Sequence, residues 1–298
     1  MRVEYREEPC RSALNRVRAM PFAWSLNPYM GCAHRCTFCY VRAFEARADR
    51  PSGERYGASI RVKTNVRDVL RRELARPSWR HEPVAIGAAT DPYQPAEGRY
   101  RLTRACLAEL AEAANPFSLI TRGPLVVRDL DVLADASRRA RVSVTFSIPT
   151  LDREIWRRTE PGTAPPRQRL RALAALVEAG VDARVGMAPI LPGLSDRPEL
   201  LAEVVRAARA AGATAIWANL LYLRPGTREH FLGALERDWP ELLPAYERLY
   251  GGGAYLPRAE SEPVRERVRK LAREHRVRDR RRARLEPPAE PEQMSLVM

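Results

Sequence analysis

The feature that most constrains this chain is an alternation. Short runs of β-branched and small apolar residues are each followed by a stretch with apolar positions three and four residues apart. The runs at 23–26, 84–89, 117–121, 142–148, 183–187 and 214–220 read as strands. The stretches at 102–114, 124–139, 167–179 and 199–211 read as amphipathic helices, with Gly180 and Gly212 as stops after two of them. Strands that alternate with helices imply a parallel sheet with right-handed crossovers, doubly wound or curved into a barrel. Either architecture places chemistry at the C-terminal ends of the strands. Polar residues gather there: Thr90 and Asp91 after the second strand, Thr121 and Arg122 after the third, Ser147 ending the fourth and Asn219 within the sixth.

Residues 23–225 make the six-unit α/β core, preceded by an N-terminal segment at 1–22. A helical extension at 226–285 follows, with a basic helix expected over 262–284, and a Pro- and Glu-rich tail at 286–298 is expected to be disordered. The longest nearly apolar stretch, 213–223, is far short of the roughly 20 residues a membrane span needs. The first ten residues mix both charge signs, unlike a secretory leader, so a cytoplasmic setting is expected.

A net charge of +14 raises the question of a nucleic-acid partner. All but two of the 51 basic residues are arginine, the exceptions being Lys63 and Lys270, which reads as compositional bias. Twelve basic residues against five acids fall within 258–284. The favoured reading of that helix is structural, with Val264, Val268 and Leu271 facing the core and the arginines facing water; nucleic-acid binding is possible but not favoured.

Five cysteines are too few and too odd a number for a disulfide framework. Cys10 and Cys106 stand alone, the latter as a small buried hydrophobe of the 102–114 helix. Cys32, Cys36 and Cys39 crowd into YMGCAHRCTFCY at 29–40. Pairing among them would leave one thiol over and close only tiny loops, so metal binding is the better reading. Zinc would need His34 as a fourth ligand on a very short tether. A four-iron, four-sulfur (4Fe-4S) cluster accepts three thiolates and leaves one iron open.

The spacing CxxxCxxC, with Phe38 before the third cysteine and βα units after it, resembles the radical S-adenosylmethionine (radical SAM) enzymes. The runs NPYMGCAHRCTFCY (27–40), TDPYQPAE (90–97) and APILPGLSD (188–196) narrow the resemblance to the branch related to spore photoproduct lyase. The resemblance implies a partial (β/α)6 barrel. It also implies that Cys32, Cys36 and Cys39 hold the cluster and that S-adenosylmethionine chelates the open iron. Reductive cleavage to a 5′-deoxyadenosyl radical would follow, fed by an electron donor such as flavodoxin or ferredoxin.

By position in that family, the backbone at Phe38 meets the adenine amino group. Arg122 and Ser147 are partners for the methionine carboxylate or ribose, and Thr90 and Asp91 share the rim. The glycine-glycine-glutamate run of other branches is replaced here by Ala88-Ala89-Thr90-Asp91. Glu160, Pro161 and Arg167 lie in a loop that resembles the family's, although the carboxylate would serve equally as a helix cap. Neither Cys10 nor Cys106 falls where the lyase's hydrogen-donating cysteine would, which counts against that reaction. His81, His230 and His275 show no ligand spacing. The catalytic residues, the substrate and the fate of the radical are unassigned. The alternative function is a nucleic-acid-binding protein with a structural iron-sulfur or zinc site and a basic C-terminal helix.

Overall fold

A computed structural model of the chain describes residues 3–277, residues 19 and 21 apart. In chain order the elements are β1 (Glu4–Glu8), β2 (Leu14–Arg16), β3 (Trp24–Leu26), β4 (Tyr29–Met30), α1 (Val41–Arg47), β5 (Ser59–Lys63), α2 (Val66–Leu74), β6 (Val84–Ile86), α3 (Pro95–Tyr100), α4 (Leu102–Glu112) and β7 (Phe117–Thr121). A 3-10 turn at Pro124–Asp129 leads into α5 (Leu130–Arg139). Then come β8 (Val142–Ser147), α6 (Arg153–Thr159), α7 (Pro166–Glu178), β9 (Asp182–Ile190), α8 (Pro198–Ala210), β10 (Ile216–Leu220), α9 (Thr227–Asp238), α10 (Leu243–Tyr250) and α11 (Arg258–Glu274).

The main sheet runs β10-β9-β8-β7-β6-β3-β2. Its six parallel strands lie side by side in chain order, and only β2 is antiparallel. A doubly wound sheet reverses direction at a switch point; here every crossover moves the same way, which builds a barrel wall with the helices on its outside. The strand order is linear from β2 to β10, so the wall is an open, partial barrel.

The two faces of that wall differ sharply. The outward row Leu26, Ile86, Leu119, Val144 and Ala183 pairs across five neighbouring strands and packs with Leu70, Leu107, Leu133, Leu173 and Val204 from the helices. The row one residue away, facing inward, reads Ser25, Ala85, Ser118, Ser143 and Asp182. The apolar burial that stabilises the fold therefore lies between sheet and helices.

All six predicted strands and the four predicted helices are present, with shifts at their ends. The 124–139 stretch begins as a 3-10 turn, Pro124–Asp129, entered from the extended Gly123, before α5 takes over. The basic helix starts earlier than expected, at Arg258, and carries Pro263 within it; Glu274 is its last helical residue. The expected continuation fails at 275–277, where the chain leaves the helix with Arg276 in the left-handed region at φ 54°; residues 278–284 and the 286–298 tail lie outside the described residues. Among the described residues, no helix is long and apolar enough to cross a membrane.

A second, three-stranded sheet in the order β1-β5-β4 was not anticipated. It is anchored by Tyr29, whose hydroxyl donates to the buried Glu97 carboxylate at 2.5 Å. Its strand β4 leads directly into the cysteine loop.

Candidate active site

The cysteine loop, residues 31–40, crosses the C-terminal end of the barrel wall between β4 and α1. Two neighbouring segments clamp it. On one side Thr90 Oγ1 donates to the Gly31 carbonyl at 2.6 Å, and Gln94 Nε2 donates to the same oxygen at 3.0 Å. Gln94 Oε1 in turn accepts from the Ala33 amide at 3.0 Å. On the other side the Thr37 amide donates to the Thr159 carbonyl at 2.9 Å and the Gly162 amide to the His34 carbonyl at 3.0 Å. A Cβ at Gly162 would stand 2.6 Å from the Ala33 carbonyl and 2.7 Å from that of His34, so only glycine permits this approach.

Asp91 is a buried hub. It accepts from the Thr121 hydroxyl at 2.6 Å, from the Arg122 amide at 2.7 Å and from the Tyr93 amide at 2.9 Å, and its Oδ2 lies 3.3 Å from Nδ1 of the buried His34. Burial works against the carboxylate, yet His34 and these donors outweigh it and hold the carboxyl down at about 2. The polar groups of Thr90 and Asp91 are thus engaged in positioning the loop. The contact to the Tyr93 amide is also the turn expected of an Asp-Pro pair.

Arg122 and Ser147 meet at the Ala188 carbonyl, which accepts from Arg122 Nη2 at 3.1 Å and from Ser147 Oγ at 2.6 Å. The Arg122 guanidinium carbon lies 5.5 Å from the centre of the Phe38 ring, and its Nε is 3.3 Å from Glu160 Oε2. Glu160 closes α6 as its C-cap residue, and its carboxylate does not cap the following helix. It is sealed between Arg122 and Arg169, with Arg169 Nη2 at 2.5 Å, and the two cations keep its carboxyl below the usual range despite burial. Arg169 also donates to the Ser147 carbonyl at 2.8 Å and to Thr163 Oγ1 at 2.6 Å. Arg167, from the same predicted loop, is exposed and faces Glu203 at 3.5 Å.

Cys32 and Cys36 are buried and Cys39 is partly so. Burial pushes the Cys36 thiol up to about 12, a rise that the nearby Arg122 opposes; burial also raises Cys32, with Asp91 and the other two cysteines adding to it. Among the described residues, no group of three or more His, Cys, Asp or Glu side chains is arranged to hold a metal ion. Thiolates on a single zinc stand about 3.8 Å apart, as a 2.3 Å bond length requires, whereas cubane ligands sit on separate irons. The donor set is three thiols that sense one another's charge on one loop beside buried guanidinium groups, which suits a thiolate-held cluster. Cys106 lies fully buried in the core, and Cys10 is partly exposed beside Asn65. His230 faces Glu54 at 3.6 Å, well removed in sequence from the other histidines.

Gln94, Arg169 and the Arg42–Tyr56 pair described below escaped sequence reasoning. Gln94 lies inside the TDPYQPAE run and was open to recognition there. The others are brought to the loop by tertiary contacts that leave no local signature.

The radical SAM superfamily model matches residues 26–205. Uncharacterised proteins of Mycobacterium tuberculosis and Mycobacterium bovis are 42% identical over 278 residues, spanning 92% of this chain and 82% of theirs. Among solved structures, a spore photoproduct lyase variant matches with a TM-score of 0.69 at 15% identity, covering 92% of this chain and 80% of that one. Another lyase variant, with bound S-adenosylmethionine and a dinucleoside spore photoproduct, also scores 0.69, at 16% identity over 91% of this chain and 79% of that one. At such identities the likeness is one of fold.

Proposed function

This chain belongs to the radical SAM superfamily, and from that premise we propose that it holds a four-iron, four-sulfur cluster through Cys32, Cys36 and Cys39. The observation that carries the reading is the loop itself: three thiols fixed by two clamps at the C-terminal end of a parallel barrel, against Arg122 and Phe38. When bound, the cluster would supply the electron that cleaves S-adenosylmethionine to methionine and a 5′-deoxyadenosyl radical.

The chain's own residues do the positioning. Thr90, Asp91 and Gln94 hold the loop, while the backbone at Phe38 would receive the adenine amino group. Arg122 and Ser147 would receive the carboxylate or ribose; Arg122 Nη2 is engaged by the Ala188 carbonyl, while its buried Nε faces Glu160 at 3.3 Å without a hydrogen-bond partner among the described residues. Burial of these groups strengthens each charge contact and keeps water from the reacting carbon. The reductant would be a one-electron carrier such as flavodoxin or ferredoxin, in a reducing cytoplasmic setting where thiols stay free.

Anaerobic reconstitution with iron and sulfide should give about four irons per chain. Incubation with S-adenosylmethionine and dithionite should then release 5′-deoxyadenosine. Cys32→Ala, Cys36→Ala and Cys39→Ala should each lose the cluster, and Cys106→Ala should keep it. Stoichiometric zinc, or a reducible cluster that yields no 5′-deoxyadenosine, would overturn the reading.

A further inference from the structure

Arg42 heads the largest side chains fully sealed in the protein, at 1% exposure. Its guanidinium donates only to carbonyls: Nη1 to Ser52 and Gly53, both at 2.7 Å, and Nε to Cys36 at 3.4 Å. Among the described residues no carboxylate lies within ion-pair distance of it. Arg122, which lies over Phe38 of the cysteine loop, and Arg169 share Glu160. An isolated charge taken out of water costs several kcal/mol unless an opposite charge offsets it. Cys39, Tyr56 and Cys36, each able to carry negative charge, lie near enough to Arg42 to favour its charged form. The missing counter-charge is therefore to be sought in the cysteine loop.

Tyr56 closes the arrangement. Its ring lies under the Arg42 guanidinium, 4.4 Å from centroid to Cζ, and its hydroxyl is 3.2 Å from Cys39 Sγ. Tyr56 is 1% exposed, so its hydroxyl has no water to turn to. Between a phenol and a neutral thiol either partner can donate. Once the sulfur is a thiolate ligand it has no proton, and the Tyr56 hydroxyl is the donor.

We infer that Arg42 and Tyr56 are positioning residues for the ligand Cys39, the cation offsetting the thiolate charge and the phenol donating to the sulfur, so that together they make the cluster easier to reduce. The inference rests on the cluster reading above. Reduction adds one negative charge to the cluster, and a buried cation and a hydrogen-bond donor to sulfur both favour the more negative state. Cys39 is the least buried of the three ligands, hence the one whose charge water would otherwise screen.

The test is a redox titration of the reconstituted full-length protein, without S-adenosylmethionine, followed by electron paramagnetic resonance. Tyr56→Phe keeps the ring under Arg42 and deletes only the donor. It should retain its iron and sulfide, and at a fixed poise its reduced-to-oxidised ratio should fall about tenfold, a shift of about 59 mV for one electron. Arg42→Gln should fall further, and Arg42→Lys should recover part of that loss, since it keeps the charge. Ratios for Tyr56→Phe and Arg42→Gln within twofold of wild type, with iron retained, would overturn the inference. So would loss of iron from Tyr56→Phe with thermal unfolding unchanged, which would make the phenol a part of cluster assembly. Wild-type protein that takes up no iron would instead remove the cluster reading itself, and iron analysis alone distinguishes that case.

Discussion

Two arginine-rich regions make a useful pair. At the barrel mouth Arg122 and Arg169 share Glu160, and the side chains of Arg169 and Glu160 are 0% and 1% exposed. Along α11, Arg269 and Arg273 reach Glu262 and Glu266, with side chains between 38% and 65% exposed. The residue types and the contact distances are alike, yet the consequences differ. In water the exposed pairs are screened and gain little, whereas buried charges need each other, because any one left alone bears the full cost of desolvation. A net charge of +14 therefore says little about what the molecule does; what matters is which arginines have been removed from water.

The largest effect expected from this contrast is at Arg169. Arg169→Met leaves Glu160 buried with a single cation and removes donors to Thr163 and to the Ser147 carbonyl. Breaking a buried pair in this way costs about 3–5 kcal/mol, to be read from urea denaturation of the cluster-free chain. Because Thr159 and Gly162 clamp the cysteine loop, iron uptake should fall as well. A loss below about 1 kcal/mol would place the mouth in the same class as the surface.

A smaller effect is expected from acid. Asp91 titrates near 2 in the folded chain, below its ordinary 3.8. A carboxyl with a depressed folded value stabilises the fold fully above its unfolded value, and that contribution is lost as pH falls through the folded one. The window thus runs from about pH 4 down to about pH 2, and the loss is about 2 kcal/mol. Urea midpoints of the cluster-free chain should drop across it, and Asp91→Asn should flatten the drop. An equal drop in wild type and Asp91→Asn would assign the acid lability to other carboxylates.

Why some of this was legible in the sequence, and some not, follows from the same contrast. The outward strand residues and the helices that cover them repeat at local spacings, so β6 to β10 and α4, α7 and α8 could be read directly. Strands β1, β2, β4 and β5 could not. β1 reads EYREE and β2 has three residues, and both owe their form to partners eight or more positions away. Pro263 obscured the start of α11. At the site, three cysteines within eight residues announce themselves. Glu160 was noticed as a loop carboxylate, but nothing near it in sequence says that Arg122 will reach it from 38 positions upstream. Arg42 and Tyr56 carry no local pattern that singles them out, and only the fold, by burying both, brings them together.

The smallest effect belongs to α11, where it is also the most informative. Val268 is 1% exposed, and Val264 and Leu271 pack with it against the core, which gives the helix a structural reason to exist. Three of its cations are matched by acids on the same helix: Arg269 Nε to Glu266 at 2.8 Å, Arg273 to Glu266 at 2.9 Å and Lys270 to Glu274 at 3.8 Å. Cations already paired along one helix have little left to offer phosphates. The double variant Arg269→Gln, Arg273→Gln should therefore unfold at the wild-type temperature and urea concentration, within error. If it were tested for DNA or RNA binding over a salt series, the slope of log affinity against log salt should not change. Each phosphate contact removed would lower that slope by about 0.7–0.9. A slope reduced by nearly two would mean that these arginines leave their glutamates for phosphates, and the exposed region, not only the buried one, would then bear on function.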